Sequence, residues 1–420
     1  MRVTVIGGGA AGVLAAIAAA EAGAEVAVLE RNNKALKKLG VTGNGRGNLL
    51  NAGNPAYYGD AAFALAALKR CGYPELTKFF ASLGVPLREE GEGRVYPASL
   101  QASAVRDAFM LRAGQLSIGI RCRMRAESIA RENGGYLISG MQGIGDDPKH
   151  PEEEPFTLDT DKVIVACGGA AYPAHGTDGT AYGLLTAFGH RLTGIAPALC
   201  ALTVPGKRIQ GLGGQRIRAK LSLTGAQGNT VHQSRGEALF AENAVSGIAA
   251  MRLARFAKAG MTLCLDLRDE LNTEGPVLPF VQSLAAARSK QPAAELLTGA
   301  FARPVARWIL REAGVKNLSA PIPALGASAL HAVAGTIECA RLPVTGTRGF
   351  DAAQVTAGGI KTKDFNPETM ESRLSPGLYA AGEILDVDGD CGGFNLMFAF
   401  SSGLIAGTAA AGGKASFSLQ

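Results

Sequence analysis

An α/β fold is what this sequence predicts, on three observations. Apolar strand signals bracket an alanine-rich helix over residues 3–30, and the same strand-then-glycine style returns near 163–169 and again after 355. Between them, residues 193–346 read differently, as short alternating strands followed by helices. At 420 residues the chain exceeds what one core usually sustains, so more than one domain is expected. The expected boundaries are 1–192 for a first nucleotide-binding part, 193–346 for an inserted unit and 347–420 for the return to the first.

The opening element decides the chemistry. Residues 3–20 carry no charge, which raises the possibility of a membrane anchor, but Gly7, Gly8, Gly9 and Gly12 interrupt the run. A spanning helix wants about 20 uninterrupted apolar residues, and glycine costs a helix about 1 kcal/mol relative to alanine. A signal peptide is not expected either, because Arg2 alone supplies a basic start and Glu21 and Glu25 follow the apolar run. A strand over 3–6, a glycine turn, a helix to about Ala22 and a second strand over 26–29 account for each residue type. Gly7, Gly9 and Gly12 fit G-x-G-x-x-G, in which the first glycine turns the chain, the second admits a pyrophosphate and the third lets helix pack on strand. The helix N-terminus attracts the anion. Glu30 closes the second strand, where a carboxylate accepts hydrogen bonds from ribose hydroxyls and disfavours a 2′-phosphate. The dinucleotide expected is therefore FAD or NAD rather than NADP.

Composition fits an enzyme that is not membrane-bound. The net charge of +6 is mild for the length, so a small-molecule substrate is expected rather than nucleic acid, and oligomeric state is left open. Seven cysteines form no C-x-x-C pair, which argues for a reducing cytoplasm and against disulfides or a zinc site; five scattered histidines imply no metal.

Later elements follow in order. Residues 37–51, KKLGVTGNGRGNLLN, form a loop rich in backbone donors, with Gly43, Asn44, Gly45, Arg46 and Asn48 able to wrap a cofactor. Residues 73–109 read as a helical excursion facing substrate, 121–132 and 135–139 as paired strands, and 141–155 as a polar surface loop. A buried strand over 163–166 runs into Gly168 and Gly169. The GLGGQ at Gly211 lacks a following helix and a distal acid, so one dinucleotide domain is expected. Residues 392–413 are uncharged but glycine-broken, and read as an interior helix packed under a ligand rather than a span.

Several long motifs together carry a family resemblance. GGGAAG at Gly7, TGNGR-x-N at Thr42, GRVYPAS at Gly93, CGG-x-x-YP at Cys167, TGTRGFDAAQVTAGGI at Thr345 and TMESRLSPGLYAAGEILDVDGDCGGFN at Thr369 resemble the BaiN-type NAD(P)/FAD-dependent oxidoreductases, also known as aminoacetone oxidase family FAD-binding enzymes. The resemblance implies a Rossmann-type FAD-binding domain similar to glutathione reductase-like flavoproteins, formed by both chain ends, with a strand-rich and helical domain inserted. It implies non-covalent FAD held by Gly7, Gly9, Ala10, Ala11, Gly12, Glu30, Arg31, Gly43, Asn44, Gly45, Arg46, Asn48, Ala126 beside the adenine, Ala166, Gly168, Gly382, Glu383, Gly393, Asn395 and Leu396. Two positions depart from the family pattern. Gly47 stands where cysteine is usual, so no thiol chemistry is assigned there, and Cys167 stands where threonine is usual and is read as a packing residue.

With a flavin carrying the redox chemistry, the protein contributes placement and electrostatics. Arg46, Tyr172, His175 and Glu383 lie in or beside cofactor motifs, but no catalytic residue is assigned. The activity expected is FAD-dependent oxidation or reduction of a small organic substrate, with NAD(P)H as a transient electron donor. A flavoprotein acting on tRNA, for which Arg208, Arg216, Arg218 and Lys220 are the basic cluster, and a redox-sensing FAD binder without turnover are the alternatives.

Overall fold

The computed structural model describes residues 1–144 and 152–413. The chain divides into two compact units, one made of Met1–Ala196 with Val355–Gln420 and the other of Pro197–Gln354.

In the first unit β1 (Arg2–Ile6), α1 (Ala10–Glu21) and β2 (Glu25–Glu30) open the chain, and β3 (Gly119–Cys122), β4 (Lys162–Val165) and β5 (Leu378–Ala380) complete a five-stranded sheet. The order is β5-β4-β1-β2-β3, all parallel, with Val3 opposite both Lys162 and Val26. Parallel strands buried on both faces read as continuous apolar runs, as VTVI and KVIV do here. The last helix, α2 (Phe394–Ala410), is apolar on every side because it is interior. Gly403 and Gly407 face α1 so closely that a Cβ on either would lie 2.4 Å from the Ala11 carbonyl oxygen or 2.0 Å from that of Ala15. These glycines serve helix contact, and no helix among the described residues is long and apolar enough to cross a membrane.

Around this sheet three expectations need correction. The 121–132 strand is two strands, because Arg123 adopts φ +58 between β3 and the strand Met124–Glu132. The latter pairs antiparallel with Gly135–Ile144, which pairs with Glu152–Thr160. Residues 141–144 and 152–155, expected in a loop, are thus strand, and 145–151 lie outside the described residues. The excursion at 73–109 is not all helical: between the helices Tyr73–Ser82 and Ala102–Gln115 a hairpin of Leu87–Glu90 and Arg94–Pro97 joins Leu50–Asn51 in a small sheet.

The second unit is a seven-stranded antiparallel sheet with helices Ile248–Leu253, Leu278–Ala287, Arg303–Glu312 and Gly326–Glu338. Its long strands Arg216–Thr224 and Thr230–Ala241 alternate buried and exposed residues, as a half-solvated sheet does. Trp308 anchors helix Arg303–Glu312, with its ring 5.6 Å from Phe240 and its indole N–H donating to the Arg208 carbonyl at 2.7 Å. The expectation of no disulfide is overturned: Cys264 and Cys339 are bonded, with Cα atoms 5.4 Å apart. They lie 75 residues apart, Cys264 on the strand Thr262–Asp266 and Cys339 at the end of helix Gly326–Glu338 just before the strand that pairs with it, which a search for C-x-x-C spacing does not detect.

Candidate functional site

The glycine turn is built by close approach. Gly7 has φ +106, and a Cβ there would sit 2.5 Å from the Ala166 carbonyl oxygen at the end of β4. A Cβ on Gly12 would sit 1.8 Å from the Gly7 carbonyl oxygen, so α1 meets β1 only through a glycine. Gly9 is different. It is the N-cap of α1, has no side-chain cap, and a Cβ there would meet nothing within 4 Å. Beyond it the first-turn amides, from Ala10 to Gly12, have no carbonyl a turn earlier to bond. A space that a side chain would fill, above uncapped amides at the positive end of a helix, fits a pyrophosphate.

Glu30 lies beside this turn, 6% exposed. Its Oε2 accepts the Gly8 amide at 2.8 Å, and its Oε1 accepts both the backbone and side-chain N–H groups of Asn32 at 2.7 Å. With about four lone-pair sites on a carboxylate, three are taken, leaving one for a ribose hydroxyl. Arg31 pairs with Asp178 at 2.8 Å. Burial raises the Asp178 carboxyl, but the Thr180 hydroxyl and amide and the Arg31 guanidinium outweigh it and hold the group below the usual range. The segment that carries Asp178 covers the end of β2: Asn32 and Lys37 donate to the carbonyls of His175 and Ala174, and a Cβ on Gly176 would lie 2.2 Å from Asn32 Nδ2. Tyr172, at φ +66, stacks on His175 with centroids 4.2 Å apart. Burial, then Lys37 and Lys38, lower the His175 pKa.

The 39–48 loop takes left-handed backbone at Gly43, Asn44, Gly45 and Gly47. Arg46 is engaged inside the protein, with Nη2 2.8 Å from both Glu90 oxygens and its guanidinium 4.7 Å over the Tyr96 ring. Asn48 Oδ1 is buried without a hydrogen-bond partner, an acceptor that fits a ligand N–H or O–H. A Cβ on Gly393 would lie 2.9 Å from that oxygen and 2.3 Å from the Leu50 carbonyl oxygen. Gly47 takes φ +74, and a Cβ there would lie 3.2 Å from Ala102 Cα.

The C-terminal segment closes on the first. Glu383 Oε1 accepts the Thr356 amide at 2.9 Å, while its Oε2 lies 3.2 Å from Lys38 Nζ. Thr356 Oγ1 accepts the amides of Ala170 and Ala171 at 2.8 and 3.0 Å, and Gly169 is there because a Cβ would lie 2.4 Å from that oxygen. Gly382 donates to Ser402 Oγ at 2.9 Å, and its notional Cβ lies 2.8 Å from that of Ala11. Asn395 clips its own loop, accepting from the Gly389 amide at 2.7 Å and donating to its carbonyl at 2.8 Å, while Leu396 packs against the core. Gly168, at φ +74, turns the chain after Ala166. Ala126 sits four residues beyond Cys122, the strand partner of Glu30. The Cys167 thiol donates to the Ile6 carbonyl and is pushed up to about 12, chiefly by burial.

Four residues here escaped sequence reading: Asn32, Lys38, Thr356 and Asp178. Thr356 lies inside the VTAGG block and Lys38 inside a visible lysine cluster; Asn32 and Asp178 carry no signal outside the fold.

Residues 1–409 match the family profile described as HI0933-like protein Rossmann domain. A 3-dehydro-bile acid delta(4,6)-reductase of Clostridium scindens is 35% identical over 428 residues, 98% of this chain and 99% of the relative. A ribosomal RNA dihydrouridine synthase of Escherichia coli is 24% identical over 401 residues, 95% of each. Among solved structures, a 3-ketosteroid-delta4-(5alpha)-dehydrogenase from Rhodococcus jostii RHA1 aligns with TM-score 0.50 and 17% identity, covering 97% of this chain and 96% of that one, a likeness of fold alone.

Proposed function

The chain belongs to the HI0933-like family and is a flavin-dependent oxidoreductase with FAD as its cofactor; from that premise we propose that it saturates a carbon–carbon double bond conjugated to a carbonyl in a small organic substrate, using electrons from NAD(P)H. One observation carries the reading. The relatives' names share a single chemistry: a delta(4,6)-reductase acting on a 3-oxo steroid acid removes conjugated double bonds, and dihydrouridine is uridine with one double bond saturated. We place the activity in the cytoplasm, where NAD(P)H is held.

Bound FAD supplies hydride uptake and return. To the chain's own residues we assign its retention: the first turn of α1 with Gly9 for the pyrophosphate, Glu30 for the ribose, and the unpartnered Asn48 oxygen and the Glu383 carboxylate for the remainder. Lys38 and Thr356 fix the Glu383 carboxylate from opposite oxygens. The second unit, Pro197–Gln354, is assigned as the inserted domain.

The test is anaerobic mixing of FAD-loaded protein with NADH and with NADPH while flavin absorbance is followed, then addition of enones that include 3-oxo-Δ4 steroids. Bleaching by a nicotinamide and recovery on adding an enone, with the saturated product found by mass spectrometry, is the expected outcome. Bleaching reversed by oxygen but by no enone would overturn it.

A further inference from the structure

Cys264 and Cys339 are brought together by the backbone around them, not only by their bond. The strand Thr262–Asp266 runs antiparallel to Ala340–Pro343, with Leu263 opposite Leu342, Cys264 opposite Arg341 and Leu265 opposite Ala340. Side chains two apart along a strand share a face, so position 339 lies diagonal to Cys264 on the face that carries Arg341. Past the two cysteines the contact continues, because the Leu267 amide donates to the Ile337 carbonyl at 2.8 Å and the Val277 amide to Glu338 Oε1 at 2.9 Å. Strand and helix end are thus held on both sides of the sulfurs, and the Cα separation of 5.4 Å, within bridging range, does not depend on the bond.

This face is open to thiol chemistry. Leu263, Leu265, Ala340 and Leu342 are buried, whereas Cys264 and Cys339 are half-buried and Arg341 is exposed. A cation across the strand from a cysteine favours the thiolate, the form that attacks a disulfide or leaves one. The acids nearby are engaged elsewhere, Asp266 with Arg268 at 2.6 Å and Glu338 with the Val277 amide. Cys200, the other cysteine of this unit, is buried, and burial raises its thiol above the ordinary value, so it is a poor competitor.

Lasting disulfides belong to oxidising compartments, and in a reducing one such bonds are transient. We propose that Cys264 and Cys339 form a reversible dithiol–disulfide site that exchanges with small thiols and disulfides of the glutathione class and, when oxidised, ties off residues 265–338 of the second unit. The proposal rests on the cytoplasmic placement above and on nothing at the flavin. The Cys264 thiolate attacks one sulfur of the small disulfide and expels a thiolate; the Cys339 thiolate then attacks Cys264 in the mixed disulfide and expels the second. Two protein thiols and one small disulfide become one protein disulfide and two small thiols, with two electrons passing to the small molecule. The bond closes the segment that carries helices Leu278–Ala287, Arg303–Glu312 and Gly326–Glu338, and closing a loop of 75 residues restricts the unfolded chain more than the folded one. Oxidation therefore stabilises these helices without rearranging them.

The experiment equilibrates FAD-loaded protein in glutathione buffers of stepped oxidised-to-reduced ratio, traps free thiols with a maleimide and locates them by peptide mass spectrometry, for wild type, C264S, C339S and C264S/C339S. Wild type is expected to pass from two free thiols at these positions to none in one two-electron step that reverses on adding reduced glutathione, and each single variant to carry a glutathione adduct on the cysteine that remains. The oxidised form should melt at least about 5 °C above the reduced form, a gap that vanishes in the double variant. Tryptic cleavage inside 265–338 should be slower in the oxidised form. A bond that survives a large excess of reduced glutathione, or two thiols that persist in excess oxidised glutathione, would overturn the site. Equal melting and equal cleavage of the two forms would overturn the effect on 265–338. Exchange measured on purified protein is independent of where the protein resides and of what the flavin reduces, so it stands or falls apart from the proposed reaction.

Discussion

Gly9 and Gly12 lie three residues apart in one motif, yet their environments predict opposite consequences for the same substitution. Gly9→Ala places a methyl in open space at φ −81, which alanine adopts freely, so the apoprotein should melt within a few degrees of wild type. The methyl occupies the volume assigned under the proposal to the pyrophosphate, so FAD affinity should fall at least about tenfold, or about 1.4 kcal/mol, by titration of apoprotein. Gly12→Ala drives a methyl into the Gly7 carbonyl and should yield little folded protein at all. Wild-type FAD affinity in Gly9→Ala would remove the pyrophosphate from this turn. Glu30 gives a second contrast. Because it already holds the Gly8 and Asn32 donors, Glu30→Ala should lower apoprotein stability by about 1–3 kcal/mol in addition to weakening FAD retention. Glu30→Gln, which keeps one acceptor, should fall between. Urea denaturation without FAD separates the two effects.

At the scale of elements, α2 and its contact with α1 are the most specific feature. A methyl at Gly407 would meet the Ala15 carbonyl oxygen at 2.0 Å, with backbone on both sides, so Gly407→Ala should cost about 3 kcal/mol in urea denaturation, the upper end for an overpacked core. A second link ties residue 190 to the C-terminal part of the first unit. His190, buried and stacked on Phe365, lies 2.9 Å from Ser372 Oγ. That oxygen already accepts the Leu374 and Ser375 amides, so its own proton goes to the imidazole, which must stay neutral. Burial lowers the His190 pKa against an opposing pull from Asp364. Its contribution is therefore complete above about pH 6.5 and lost as pH falls below that, where the unfolded chain takes up the proton first. Wild type should lose more thermal stability than His190→Gln between pH 7 and 5, the subtraction removing His175, whose pKa burial and the nearby lysines also lower. An identical pH profile in the two proteins would refute it. Elements of this kind were partly legible in advance. The opening strand, helix and strand, the strand ending at Val165 and the interior helix near the C-terminus are local patterns of period and glycine, and they lie where periodicity put them. The hairpin inside 73–109, the break at Arg123 and the Cys264–Cys339 bond depend on partners distant in sequence, as do Lys38 and Thr356, whose chemical sense comes only from the Glu383 carboxylate between them.

For the molecule as a whole, electron supply follows from the count of fingerprints. One glycine-rich nucleotide turn followed by helix and acid is present, and it is the one assigned to FAD. Under the proposed supply of electrons by NAD(P)H, the nicotinamide would share the substrate's place and leave before the acceptor enters, so steady-state rates with both varied should give parallel double-reciprocal lines; intersecting lines would reveal a second nicotinamide pocket.

The division of the first unit between the two ends of the chain also sets a timetable. Ribosomes deliver β1 first and β4 by residue 165, but β5 and α2 arrive only after residues 378 and 394. At 5–20 residues per second, α1 waits roughly twenty to eighty seconds for the helix that covers it. The second unit, being continuous, can fold during that interval, while the half-made sheet waits with an apolar flank uncovered. Loading with FAD is therefore expected only once the C-terminal segment has been made. Ribosome-arrested chains ending at residue 390 should bind no FAD, whereas released full-length chains should take it up without further synthesis.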